Sequence, residues 1–462
     1  MKHLYLFILF VCFQPISAQV FNVETLKLSG STDKRINLVI LSEGYQTNEL
    51  PQFITDATNF MNAMFSQSPF LEYTNYFNVY AIKVPSNQSG SDHPGTATDV
   101  IEPASPITNV DTYFNTSYDS YNIHRLLYSY DYATISTVLA NNFPVFDQAI
   151  ILVNSSVYGG SGGLYPFTST GVSASEIAIH ELGHSLFNLK DEYYPGDALA
   201  AEAINMTQET IPALVRWKNW INRNGIDIYP YATSGNAATW NRPHQNCKMR
   251  YLGVPFCSVC KEGIVEKIHA IITPIDSYTP VSNTITNPIF PIDFQLNLIK
   301  PIPNTLESTW TLNGATFATN LDAVSILEAD LNSGINNLTI AVIDVTTLLK
   351  VDNHTTIHVS TVSWIINNSA LGIKDITSES NEITISLYPN PSNDFINVKV
   401  DSTLATDLVV DIISIDGKQV KTVKLLSANI SQIDLSSLSV GIYVAKFYVK
   451  NVLIASKKLV KN

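Results

Sequence analysis

Apolar residues over the first 270 positions follow two rhythms. RINLVIL (35–41), YFNVYAIKV (76–84) and DQAIILVN (147–154) are short apolar runs of strand length. Between them, FITDATNFMNAMF (53–65) and YNIHRLLYSYDYATISTVLANN (121–142) space their apolar positions at helical intervals. This interleaving predicts an α/β layer around a mostly buried sheet. GVSASEIAIHELGHSLF (171–187) predicts a further helix, in which Ser173 and Glu176 make a capping box that puts the start just before His180.

From about residue 271 the helical period fades, and β-branched alternation with turn signals replaces it. STWTLNGATF (308–317) holds Asn313-Gly314 at a hairpin turn, while NNLTIAVIDVTT (336–347) and TTIHVSTVSWII (355–366) read as strands. The expectation is an Ig-like β-sandwich over 271–370, followed by a polar linker at 371–382 that contains GIKDITSESNE. Residues 383–462 bring short strands, INVKV, DLVVDIISI, KQVKTVKLL and IYVAKFYV, with a tight turn at Asp416-Gly417. A second small sandwich is expected there. The expected fold class is therefore multidomain: an α/β domain over 19–270, then two all-β domains.

Composition refines this outline. The chain has 462 residues, too many for one ordinary core, and 45% of them are apolar, enough to fill several. The net charge of −13 argues against a nucleic-acid partner. Residues 384–462 depart from the acidic remainder, with nine Lys, six Asp and neither Arg nor Glu. At the other end, Lys2, an apolar run from Leu4 to Phe13, Pro15 and Ile16-Ser17-Ala18 describe a cleavable export signal over 1–18. That run is short for a bilayer, and no later run approaches the roughly 20 residues a span needs. Three cysteines remain after the signal, Cys247, Cys257 and Cys260. Export makes one disulfide among them the default, with the pairing open; a Cys/His zinc knot using His269 is the alternative.

The candidate chemistry sits in HELGHSLFNLKDEYY (180–194). On a helix His180 and His184 share one face, about 40° apart around the axis, so both imidazoles can reach one zinc ion. Glu181 lies beside the first ligand, angled aside, where it can hold a water and act as general base. A third ligand close by requires the helix to stop and the chain to fold back. The metzincin spacing of that break and ligand falls on Phe187 and Lys190, which cannot serve, whereas Asn188 and Asp191 one residue later can. Asparagine tolerates positive φ, and Asp191 then offers an oxygen ligand. Glu192 and Glu202 are rival third ligands, and Asp191 could instead be a turn residue or support a ligand. Downstream, Met249 is the candidate for a methionine turn beneath the histidines. Tyr251 is either a phenol near the metal or ordinary packing. YGGSGGLYPFTSTG (158–171) reads as the rim of a cleft for an extended peptide or as a mobile loop.

Three stretches, INLVILSEGYQ (36–46), ILVNSSVYGGSGG…HELGHSLFNLKDEYY (151–194) and RPHQNCKMR…FCSVC (242–260), resemble the secreted, metzincin-like metallopeptidases of the bacterial IgA peptidase family. The resemblance covers roughly 35–270. It implies zinc endopeptidase activity with His180, His184 and Asp191 as ligands and Glu181 as base. Phe187-Asn188 departs from the family's usual glycine. The C-terminal domain resembles the type IX secretion sorting domain of Bacteroidetes through YPNPS (388–392), IISIDGKQV (412–420), LSSLSVGIYVAKF (435–447) and the ending KKLVKN. This implies handling by the type IX machinery and a secreted or cell-surface location in a Gram-negative bacterium. Two functions are thus in play: a secreted zinc endopeptidase acting on protein, and a surface-binding, adhesive protein whose zinc site is structural or vestigial.

Overall fold

The computed structural model describes residues 20–368, 384–401, 408–425, 430–450 and 452–462. The expected export signal and the whole of the expected linker lie outside them. The described residues divide into two compact units, the first of which holds residues 20–283, 293–325 and 337–364.

In the first unit the apolar runs form one mixed sheet. Its strands are β1 (Asn22–Lys27), β2 (Ile36–Glu43), β3 (Phe77–Lys83), β4 (Gln148–Val153), β5 (Gly160–Ser161) and β6 (Phe167–Thr168), in the spatial order β1-β3-β2-β4-β6-β5. β2 runs parallel to β3 and β4, and β4 parallel to β6; β1 and β5 close the sheet as antiparallel edges. Every position of β2 and β4 is buried, since helices cover both faces.

Four helices supply that cover: α1 (Leu50–Phe65), α2 (Tyr132–Asn142), α3 (Ala174–Ser185) and α4 (Ser258–Ile271). The strand alternation sorts the core into two layers. Leu38, Ile40, Val79 and Ile150 pack with Phe53, Ile179, Leu182 and Ile264 on the α1, α3 and α4 side. Val39, Leu41, Ile82 and Ile151 pack with Ile135 and Leu139 of α2 on the other.

Helix α2 occupies only the second half of the segment expected to be helical. Tyr121 and Asn122 take left-handed φ of 54° and 62°, which stops a helix, and Tyr121, Tyr128 and Tyr130 pack as an aromatic cluster instead. The helix starts where the Asp131 carboxylate accepts from the Thr134 N–H at 3.1 Å.

Beyond α4 the first unit continues as a sandwich around Trp310 and Trp364, whose rings stack at 5.9 Å and 14°. Strand Leu306–Leu312 pairs with Ala315–Thr319 across Asn313-Gly314, both at positive φ (52° and 82°), the turn expected there, and with Gly334–Asp344 on its other side. The expected strand at 355–366 begins late: His354–Ile357 is a short helix and the strand starts at Ser360. His354 is held in that helix by Glu266 Oε1 at 2.6 Å and the Asp344 carbonyl at 3.0 Å. The sandwich is tied to α4 through Asp344, whose buried carboxylate meets His269 Nε2 at 3.0 Å and the Tyr73 hydroxyl at 2.6 Å.

In the second unit, strands Thr384–Tyr388, Phe395–Asp401 and Ile430–Asp434 form one antiparallel sheet. Strands Gln419–Leu425, Leu408–Ser414, Gly441–Val449 and Val452–Lys461 form another. Ile396, Val398, Val410, Ile412 and Phe447 fill their shared core, and Gly417 makes the expected turn at φ 84°. Among the described residues no helix is long and apolar enough to cross a membrane.

Candidate metal centre and cleft

α3 begins at Ala174, but no capping box forms. Ser173 sits at φ 65° and its side chain caps nothing. Glu176 is drawn away because its carboxylate pairs with Lys248 and accepts from Gln67 Nε2 (2.8 Å) and the Gly253 N–H (2.9 Å). It thereby fastens the 248–253 segment to the helix.

One turn later α3 presents its two histidines. Their Nε2 atoms are 3.2 Å apart, with the rings nearly perpendicular at 86°. His180 Nδ1 faces the Lys248 carbonyl at 2.9 Å, and His184 Nδ1 faces the Leu189 carbonyl at 2.8 Å. A carbonyl only accepts, so each Nδ1 carries a proton, and in the neutral ring each Nε2 turns a lone pair toward the other ring.

The helix then breaks at Asn188, which takes φ 57°. The Asn188 N–H donates to the His184 carbonyl at 3.1 Å and the Leu189 N–H to the Gly183 carbonyl at 2.8 Å, a left-handed helix cap. The reversal carries Asp191 back to the histidines. Its Oδ1 stands 3.1 Å from His180 Nε2 and 3.2 Å from His184 Nε2, buried and with no hydrogen-bond donor satisfying it.

Burial opposes charge on His184, yet the Asp191 carboxylate, with Glu181 and the Leu189 carbonyl, raises its pKa to about 9. Burial likewise opposes ionisation of Asp191, and the two histidines overcome it and lower its pKa. One proton can bridge only one edge of this triangle. A single cation satisfies all three donors, and the set could hold a metal ion.

The rival third ligands lie elsewhere. The Glu192 carboxylate points to the cysteines, and Glu202 accepts from Thr207 Oγ1 and the Gln208 N–H.

Glu181 projects from α3 toward β5. A Cβ on Gly162 would lie 2.4 Å from Glu181 Oε2, so the missing side chain there makes room for the carboxylate. Burial raises the Glu181 pKa against the pull of His180 and His184. The 158–171 segment is an ordered edge rather than a free loop, since the Gly160 N–H donates to the Arg125 carbonyl at 3.1 Å.

Met249 is fully buried beneath α3, where a Cβ on Gly183 would come within 2.8 Å of its Sδ. Tyr251 is 49% exposed with Arg250 against its ring at 4.7 Å. It lines a cavity of about 280 Å³ together with His180, Glu181, Arg125, Tyr158 and Tyr193. Sequence reasoning gave no cleft role to Arg125 or Tyr193. Arg125 lies in an irregular segment without a motif. Tyr193 signals itself only as a neighbour of Asp191; burial and then the Asp191 and Glu181 charges push its pKa up to about 12.

The expected disulfide is not formed. Cys247 and Cys260 Sγ stand 3.6 Å apart, beyond the roughly 2.05 Å of an S–S bond, and all three thiols are buried and free. The alternative knot with His269 also fails: the cysteines gather at the start of α4 with Glu192, whereas His269 lies near the helix's other end, where its Nε2 meets Asp344. Two further groups escaped the sequence reading, His93 with Asp119 and His124, and Glu266 with His354 and His358. Most of their members lie far apart along the chain; His354 and His358 do share the four-residue spacing of His180 and His184, but that spacing falls where a strand was expected from residue 355.

Residues 24–234 match the family model described as IgA Peptidase M64, and residues 386–462 match the model for a secretion system C-terminal sorting domain. Curated proteins yield no match. Among solved structures, the chain is similar to dimeric latent PorU from Porphyromonas gingivalis (15% identity over 40% of this chain and 20% of that one, TM-score 0.16). A β-glucuronidase from Faecalibacterium prausnitzii matches at 11% identity over 34% and 33% of the two chains, TM-score 0.16. The SGBP-B protein of a Bacteroides ovatus mixed-linkage glucan utilization locus matches at 12% over 40% and 70%, TM-score 0.14. The chain thus spans a fifth and a third of the first two structures, and at these TM-scores none of the three bears on its fold. The sorting domain marks the chain for secretion or the cell surface by the type IX route. By these matches the chain joins a region that fits the IgA Peptidase M64 model to a type IX secretion sorting domain.

Proposed function

We propose that the protein is a secreted zinc-dependent endopeptidase of metzincin-like design, with His180, His184 and Asp191 as zinc ligands and Glu181 as general base. The observation that carries this is the donor triangle, with edges of 3.1, 3.2 and 3.2 Å and both Nδ1 protons held by carbonyls. Ligands at 2.0–2.1 Å in tetrahedral geometry subtend edges of about 3.3 Å. A Zn²⁺ ion would therefore need little rearrangement of the three side chains. When bound, zinc would supply Lewis acidity toward a peptide carbonyl and acidify water.

The protein's own groups do the rest. Glu181, in the space left by Gly162, takes the proton from the attacking water and passes it to the leaving amine. Met249 under α3 and the fold-back at Asn188 support the metzincin-like reading. Tyr251 and Tyr193 border the cavity beside Glu181, within reach of a bound peptide.

The test is hydrolysis of casein by the purified chain with and without a chelator, alongside Glu181→Gln. The expected result is chelator-sensitive cleavage in the wild type, and a Gln variant that keeps its metal but loses most turnover. Cleavage unaffected by the chelator, or a Gln variant at wild-type rate, would overturn the assignment. An adhesive protein with a vestigial site would give no cleavage in any arm.

A further inference from the structure

We infer that Cys247, Cys257, Cys260 and Glu192 form a second, structural zinc site behind the first. The four ligating atoms all lie within 4.8 Å of one another. Cys247 and Cys260 Sγ are 3.6 Å apart, and Glu192 Oε1 is 3.0 Å from Cys260 Sγ and 3.6 Å from Cys257 Sγ. Tetrahedral zinc with sulfur at about 2.3 Å and oxygen at about 2.0–2.2 Å demands ligand separations of about 3.5–3.8 Å, close to this set.

A disulfide explains the cluster less well. Any pairing uses two of the three thiols and leaves the third beside a fully buried carboxylate whose Oε2 has no partner. Such a group is costly without a cation or a donor. Zinc uses all four groups at once. Binding displaces one proton from each thiol, the carboxylate completes the tetrahedron, and no electron is transferred.

The surroundings suit a site of three thiolates and a carboxylate, which would carry a net negative charge with zinc in place. Cys257 precedes the first turn of α4, whose positive end faces the cluster, and its N–H donates to Cys247 Sγ at 3.3 Å. Asn205 Nδ2 donates to Glu192 Oε1 at 3.4 Å, and the buried Arg242 lies in electrostatic range of Glu192.

The position of the cluster gives it a purpose. Glu192 follows Asp191 directly, and Cys247 precedes Lys248, whose carbonyl orients His180. The Glu192 N–H donates to the Met249 carbonyl at 2.7 Å. A metal here ties α4 to both segments that set the first centre.

The test uses the purified mature chain, without residues 1–18 and their Cys12, and does not depend on catalysis. Intact mass without reduction should match three free thiols. Alkylation should reach them only when denaturant and chelator are combined, with zinc released in step. Cobalt substitution should give the intense near-ultraviolet thiolate-to-metal band, and this band should survive His180→Ala, which disables only the first centre. Cys257→Ser should lose one zinc per chain relative to wild type, whatever else the chain binds. A mass lighter by two hydrogen atoms would show a disulfide and overturn the proposal. So would three thiols that alkylate in denaturant alone, or a cobalt protein without the thiolate band.

Discussion

Gly162→Ala isolates the placement of the Glu181 carboxylate from every other property of the centre. The added Cβ would lie 2.4 Å from Glu181 Oε2, whereas unstrained carbon–oxygen contacts begin at about 3.3 Å. The carboxylate must therefore retreat by about 1 Å. A displacement of about 1 Å in a reacting group can cost about a hundredfold in kcat, equivalent to about 2.7 kcal/mol at the barrier. The backbone itself is not at issue, because Gly162 lies outside the left-handed region, unlike Gly163 at φ 124°. Bound metal should stay at the wild-type level, since neither Gly162 nor Glu181 is among the three converging donors. The assay is kcat on a fluorogenic peptide, with metal content and melting temperature measured on the same preparation. A Gly162→Ala variant that retains its metal and turns over within threefold of wild type would refute the placement of the base. Loss of metal would instead show that the displaced carboxylate had invaded the donor set.

Asp191→Ala should reduce bound metal by at least tenfold at equal free zinc, with activity falling in proportion; a variant still holding stoichiometric metal by elemental analysis would move the third ligand elsewhere. Asn188→Ala should lose about 1–2 kcal/mol in urea denaturation while Asn188→Gly is nearly neutral, because φ 57° strains any side chain lacking local hydrogen bonds. Asp344→Asn should cost about 1.5–3 kcal/mol at neutral pH, since burial opposes the charge but His269, Thr305 and Tyr73 hold the carboxyl pKa below its usual value of 3.8. A depressed folded pKa gives stability that is present above the unfolded value and lost as pH falls through the folded one, so the difference from wild type should be constant above pH 5 and shrink below pH 4. A gap that persisted undiminished in acid would contradict this account of Asp344.

The centre was legible where its chemistry is local. His180, Glu181 and His184 fall within two turns of one helix, and the break that returns Asp191 needs only Asn188 at positive φ, a preference carried by a single residue. The central strands were legible for a similar reason, as runs buried on both faces have few alternative structures. What escaped depends on partners far along the chain. Glu176 reads as half of a capping box until Lys248, 72 residues away, claims its carboxylate. The 121–131 segment has helical spacing, yet aromatic packing and two left-handed residues prevail over it. The cysteines suggested a disulfide because the chain is exported, and nothing local announced that Glu192, 68 residues before Cys260, points at them.

The same division governs what sets the geometry of the proposed metal centre. All three donors come from a twelve-residue stretch, but their orientation does not. His184 takes its tautomer from the Leu189 carbonyl, which the Asn188 reversal aims back at the ring. His180 takes its tautomer from the Lys248 carbonyl, held in place by the Glu176–Lys248 pair and by the packing of Met249 against Gly183. Removing such a supporting partner typically costs ten- to a hundredfold in metal affinity while the donors stay intact. Lys248→Met should therefore weaken metal binding although Lys248 contributes no side-chain atom to the donor set, and Glu176→Gln should do so to a lesser degree because Gln67 and Gly253 still reach it. Competition with a zinc-sensitive dye measures both affinities. Equal affinity in wild type and Lys248→Met would mean that the His180 orientation is set by α3 alone.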